Sequence, residues 1–142
     1  MRLWHYSLIP YLPDSQLIAQ WRELNSIFKN QPRHILINYV YNYDKSYLKS
    51  YSWAVIDEMK KRNFKIKSFD NMIDYFGEDA FIGEIVFYPE HNDRYLLQCF
   101  FNLQEKHDRY QEDFTMERYL KMYDFVVEEV RDVKKHLFLS HR

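Results

Sequence analysis

The sequence predicts a mostly α protein: a single compact domain of about four helices joined by short extended connections. Two observations carry this expectation. Only two glycines and four prolines occur in 142 residues, which leaves few positions for tight hairpins and favours long helices. Apolar residues also recur at helical spacing in four separate stretches. The length suits one domain over residues 1–142, burying roughly two thirds of the surface that its unfolded form exposes, with no room for a second core.

The chain opens on MRLWHYSLIPYLP, a packed apolar and aromatic run where most chain ends are loose and polar. His5, Pro10 and Pro13 interrupt it and Asp14 follows at once, so it lacks the unbroken apolar centre of a signal peptide. No window approaches a membrane span. In PDSQLIAQWRELNSIF, Asp14 or Ser15 is the expected N-cap, and Leu17, Trp21, Leu24 and Phe28 share one stripe of a four-turn helix. Glu23 lies on the shoulder of that stripe and Arg22 further round. Pro32 ends any continuous helix. HILINYVYNYDKSY fits strand alternation and helical spacing equally.

From Ser46 to Arg62, Leu48, Tyr51, Val55 and Met59 mark a second helix whose basic end, Lys60-Lys61-Arg62, suits a helix C-terminus. NFKIKSF alternates as a short extended connection does. FIGEIVFYPEHND reads as a short strand or extended run ending at Pro89, after which Asn92 or Asp93 caps a third helix, RYLLQCFFNLQEKH. A polar link, DRYQEDF, leads to Thr115 as the cap of a long last helix. There Met116, Leu120, Tyr123, Val127, Val130 and Leu137 keep near-heptad spacing, interrupted at Lys134, and are expected to pack on the core or on a partner.

The formal charge of −1 gives no overall field to draw a polyanion, so a nucleic-acid site has to be a local patch. Asp44 to Lys67 is basic, whereas every charged side chain from Asp70 to Asp93 is acidic. Cys99, the single cysteine, excludes an intrachain disulfide and suits the reducing cytosol, so a cytoplasmic protein is expected. With Gly77 and Gly83 as the only glycines, neither a phosphate-binding loop nor a dinucleotide fingerprint can be written. G-x-S-x-G and H-E-x-x-H are absent. The six histidines, His5, His34, His91, His107, His136 and His141, show no ligand spacing, so no metal or cofactor is expected.

By residue type alone, Arg22 and Glu23 read as the solvated edge of an apolar stripe. KKRNFKIK reads as a solvated helix end, or as Lys and Arg interleaved with Phe64 to meet phosphates. Tyr39, Tyr41, Tyr43, Tyr47 and Tyr51 read as core and rim rather than a stacking platform, and His34 as structural.

LIAQWRELNSIF together with YDKSYLKSYSWAVIDEMKKRNFKIK resembles the pyrimidine-dimer DNA glycosylases, small helical repair enzymes first known from bacteriophage. In those, a helix bearing R-E-L lies near the N-terminus and a later one ends in K-R-G-F-x-I-K. MRLWHYSLIPYLP, Gln20, RHILINYVY and YPEHND are similar to a bacterial branch of the family, and the resemblance runs from Met1 to about Lys106. Trp21 and Ser52 stand where that branch usually has histidines.

The resemblance implies a mechanism in which the α-amine at the chain's start attacks the deoxyribose C1′ of a damaged nucleotide, displaces the base and forms a Schiff base that undergoes β-elimination. An α-amine, with an ordinary pKa of about 8, keeps a useful neutral fraction for this. By position, Glu23 matches the catalytic carboxylate, Arg22 a DNA-contacting arginine, Arg2 a basic residue near the amine, and His34 a histidine of the bacterial branch. The phage enzymes carry a small second residue and lose the initiator methionine. Arg2 here implies that Met1 is kept and supplies the amine. The implied partner is damaged double-stranded DNA, the implied class a hydrolase and lyase of DNA repair. Two other readings stay open: a catalytically silent member that binds nucleic acid or protein through the 116–137 stripe, and an N-glycosidase acting on another nucleoside or RNA.

Overall fold

The start of the chain lies at the junction of two helical groups. A computed structural model describes the backbone of residues 1–140 and the side chains through Arg131. The side-chain expectations at Lys134, His136, Leu137 and His141 lie outside the described residues. Helix α1 (Asp14–Asn30) packs on α2 (Lys45–Lys61) and α3 (Asp70–Phe76), while α4 (Asp93–Asp108) packs on α5 (Met116–Ser140). A 3₁₀ turn, Tyr6–Tyr11, touches both α2 and α5 and so ties the two groups together. One hydrophobic cluster runs through all of it, from Leu3 and Leu8 to Leu103 and Val126. The mostly α, single-domain expectation holds.

The second and third helices fall where the sequence places them. Asp44 caps α2 by accepting from the Ser46 amide at 2.9 Å, and Leu48, Tyr51, Val55 and Met59 are all buried. Asn92 caps α4 by accepting from the Tyr95 amide at 2.9 Å, and Thr115 caps α5 through the Arg118 amide at 3.2 Å. The undecided 34–47 stretch becomes a turn and a short 3₁₀ helix, Asn38–Asn42. Residues 64–69 and 82–88 form neither helix nor strand.

Three expectations change. The N-cap of α1 is Pro13, because the two candidate caps have tertiary partners: the Asp14 carboxylate meets Arg62 at 2.9 Å, and the Ser15 amide and hydroxyl donate to Asp113. Helix α3 was not anticipated; a seven-residue helix is too short to display a period, and Phe69, Met72 and Phe76 fold it onto the core. In α5 the near-heptad stripe turns away from the core over its first four members, and Val130 packs against the core. Met116, Leu120, Tyr123 and Val127 are exposed, and the buried line is Met122 and Val126, flanked by Tyr119 and Phe125. The helix is apolar around much of its girth, so spacing alone did not select the buried side.

Arg62, read as part of a basic helix end, is largely buried. Its guanidinium donates to the Leu12 and Pro10 carbonyls at 2.7 and 3.1 Å, to Asp14 at 2.9 Å and to Glu58 at 2.9 Å. It thereby pins the end of the 3₁₀ turn to α2. Arg62→Met strips Asp14 and Glu58 of their donor and leaves the two carbonyls only the longer bonds from Arg118, at 3.3 and 3.4 Å, so it is expected to cost about 1–3 kcal/mol, read as a lower urea midpoint at unchanged slope.

Candidate active site

Residues 16, 19, 20 and 23 share one side of α1, adjacent to its core stripe. Gln16, Ala19, Gln20 and Glu23 there form one wall of a cleft of about 310 Å³. The chain's first residues, Met1, Arg2 and Trp4, form another, and Leu36, Asn102 and Lys106 complete it. Met1 and Glu23, 22 positions apart in sequence, therefore share a single concavity.

Glu23 is half-buried, and its Oε2 accepts two hydrogen bonds: from the Arg2 amide at 3.2 Å and from Gln20 Nε2 at 3.3 Å. The nitrogen seated on the carboxylate is thus the amide of Arg2. The α-amine of Met1 lies one residue further along, which backbone dimensions place within about 7 Å of Oε2. Met1 is 38% exposed and lines the cleft.

The chain start has no strand partner, and side chains take over the pairing of its backbone. Gln20 Nε2 donates to the Arg2 carbonyl at 3.0 Å, and Gln20 Oε1 accepts from the Trp4 amide at 2.8 Å. The one proton of the Tyr51 hydroxyl is shared between the Trp4 carbonyl at 2.7 Å and Gln20 Oε1 at 2.9 Å, while the Tyr95 hydroxyl donates to the Leu3 carbonyl. Burial pushes the Tyr51 and Tyr95 phenols above their ordinary range, which keeps both as donors. The Arg2 guanidinium turns inward, 5.7 Å from the Trp4 ring and 5.8 Å from the Tyr95 ring, with Cys99 Sγ at 3.9 Å. Burial pushes the Cys99 thiol up.

Beneath this lies a buried histidine pair, with ring centroids 5.4 Å apart. His91 Nδ1 accepts from the Tyr6 amide at 3.1 Å, so the neutral ring carries its proton on Nε2 and donates it to the Tyr39 hydroxyl at 2.7 Å. His5 Nδ1 accepts from the Ser7 amide at 3.2 Å. Burial lowers His5 to about 4, and burial with the neighbouring His5 lowers His91 to about 3.

Among the residues singled out from sequence, the fold brings together Met1, Arg2 and Glu23. Arg22 and His34 lie elsewhere. Arg22 is exposed on the next face of α1, where Trp21, Phe64, Lys65 and Lys67 line a second cleft of about 510 Å³. His34 is exposed in a turn, its amide donating to Asn38 Oδ1 at 2.7 Å and its Nδ1 accepting from the Leu36 amide at 3.2 Å. Sequence reasoning missed Gln20, Tyr51, His91 and Tyr95 as holders of the chain start. Gln20 alone carried a local signal, being three residues before Glu23 on the same side of the helix. Among the described residues, no three His, Cys, Asp or Glu side chains converge as a metal-binding group, and no helix is long and apolar enough to cross a membrane.

A family model described as pyrimidine dimer DNA glycosylase matches residues 1–72, which span the chain start, α1, α2 and the beginning of α3. No curated protein and no solved structure matches the chain.

The histidine pair makes a pH prediction. Both rings hold fewer protons folded than unfolded between about pH 3 and 6.5, so stability is full above pH 6.5 and falls as the pH drops through that window. His91→Gln is expected to cost about 1–3 kcal/mol at pH 7 through lost buried hydrogen bonds, and to flatten the acid slope by about one proton. Urea titrations at pH 7, 6, 5 and 4 measure both.

Proposed function

The chain belongs to the pyrimidine dimer DNA glycosylase family, and from that premise we propose a DNA repair glycosylase with abasic-site lyase activity, using the Met1 α-amine as nucleophile and Glu23 as catalytic carboxylate. The observation that carries this reading is the meeting of the chain start with Glu23: the Arg2 amide lies 3.2 Å from the carboxylate, and Met1 opens into the same cleft.

The neutral amine attacks C1′ of the damaged nucleotide as the glycosidic bond breaks, and the base leaves with the electron pair and takes up a proton. Loss of the amine's proton and opening of the sugar ring give an iminium at C1′. Removal of a C2′ proton then breaks the C3′–O bond and releases the 3′ phosphate, and water returns the amine. Glu23 stabilises the cationic sugar and the iminium and moves protons. The amine provides both nucleophile and electron sink, so the sequence of steps calls for no metal or cofactor.

Reaching C1′ in a duplex requires the nucleotide to be turned out of the stack. The second cleft supports a DNA-facing role for the adjacent side of α1. Arg22, Lys65 and Lys67 are exposed cations beside the half-buried aromatics Trp21 and Phe64, a combination that suits phosphates and bases. A binding-only member is the second reading, favoured by the exposed Met116, Leu120, Tyr123 and Val127 line of α5.

Borohydride trapping on dimer-containing and abasic duplexes tests the reaction. The protein is expected to form a covalent adduct that peptide mass analysis places on the nitrogen of residue 1. Glu23→Gln is expected to slow its formation by about 10²–10⁴-fold, and residues fused ahead of Met1 to abolish it. Duplex binding without any adduct would instead establish the binding-only reading. Lys65→Ala is expected to weaken binding to damaged and undamaged duplex alike and to reduce the salt dependence of log K by about one.

A further inference from the structure

We propose that Gln20 is a positioning residue for this chemistry: a single buried side-chain amide sets the register of the chain start against Glu23. The inference rests on the amine and carboxylate reading above and deepens it.

Gln20 is 1% exposed, yet all four of its hydrogen-bonding positions are used. Its two N–H groups go to the Arg2 carbonyl at 3.0 Å and Glu23 Oε2 at 3.3 Å. Its oxygen accepts from the Trp4 amide at 2.8 Å and, at 2.9 Å, shares the Tyr51 hydroxyl proton with the Trp4 carbonyl. Turned over, the amide would set its oxygen against a carbonyl and a carboxylate and its N–H groups against the Trp4 N–H. One orientation satisfies every partner. The amide grips residues 2 and 4 from one point and contacts the carboxylate one helical turn away, on a rigid stretch of α1. Glu23 and the chain start are therefore referenced to the same group, and near-attack geometry is sensitive to displacements of about 1 Å.

Gln20→Met keeps the length of the side chain and removes every hydrogen bond. The proposal expects its single-turnover trapping rate to fall about 10–100-fold at unchanged KM for the dimer-containing duplex. Hydrogen exchange at the Trp4 amide should accelerate with it. Val126→Ala, in the buried line of α5 away from the cleft, is the control for stability alone and should keep both the rate and the Trp4 protection. Gln20→Glu supplies a second test if the Met variant folds poorly. It retains the acceptor for Trp4 and Tyr51 but must be protonated to donate toward Glu23, so its rate relative to the unsubstituted protein should rise as the pH is lowered. A purely structural role would not reshape the pH profile.

Trapping by Gln20→Met at the unsubstituted rate, or a loss no larger than that of Val126→Ala, would overturn the positioning role and leave the reaction standing. Absence of any adduct from the unsubstituted protein would remove the reaction and this role together.

Discussion

The structure depends on pairing the backbone of its first twelve residues. A chain end passing between two helical groups without a strand partner carries N–H and C=O groups that water cannot reach, and each one left bare is costly. Here they are met from four helices. Gln20 and Glu23 of α1, Tyr51 of α2 and Arg62 just past its end, Tyr95 of α4 and Arg118 of α5 all bond to backbone between Arg2 and Leu12. His91, just ahead of α4, takes the Tyr6 amide. The same bonds that satisfy the segment also fasten the two helical groups to each other.

This constraint gives the high tyrosine content a purpose. Tyr51 and Tyr95 bring apolar rings into the core and hydroxyls to backbone carbonyls, which leucine or phenylalanine could not do. The Tyr39 hydroxyl accepts from His91 Nε2, and the Tyr41 hydroxyl donates to the Pro32 carbonyl at 2.7 Å. These rings therefore belong to core and rim, and the cost of burying their polar tips is offset at each site by a named partner.

Helix α1 distributes its work by angle. Leu17, Leu24 and Phe28 face the core, Gln20 and Glu23 face the cleft at the chain start, and Arg22 faces a cationic groove. Neighbouring helical residues stand about 100° apart, so Arg22 and Glu23 open onto different surfaces although adjacent in sequence. In the proposed reaction, grip on DNA and chemistry on the sugar are thus registered to one rigid element. The charge separation in sequence follows the same logic in part: Lys65 and Lys67 line the groove beside Arg22, while Arg62 is withdrawn into the core contacts of the chain start.

Local periodicity by itself determined the helical class, the cores of α1, α2 and α4, and the caps at Asn92 and Thr115, because each signal lies within a turn or two of the residues it organises. It singled out Glu23 and Met1 only through resemblance, since a carboxylate on a helix shoulder and an amine at a chain end have no period. Tertiary structure decided which side of α5 is buried, the fate of Asp14 and Ser15 as ion-pair and hydrogen-bond partners instead of caps, and the withdrawal of Arg62 from the surface. It also decided that Gln20, one turn before Glu23, holds the chain start. Hydrogen bonds between residues 16 to 108 positions apart leave no trace in local spacing, and those bonds place the first residues beside the carboxylate.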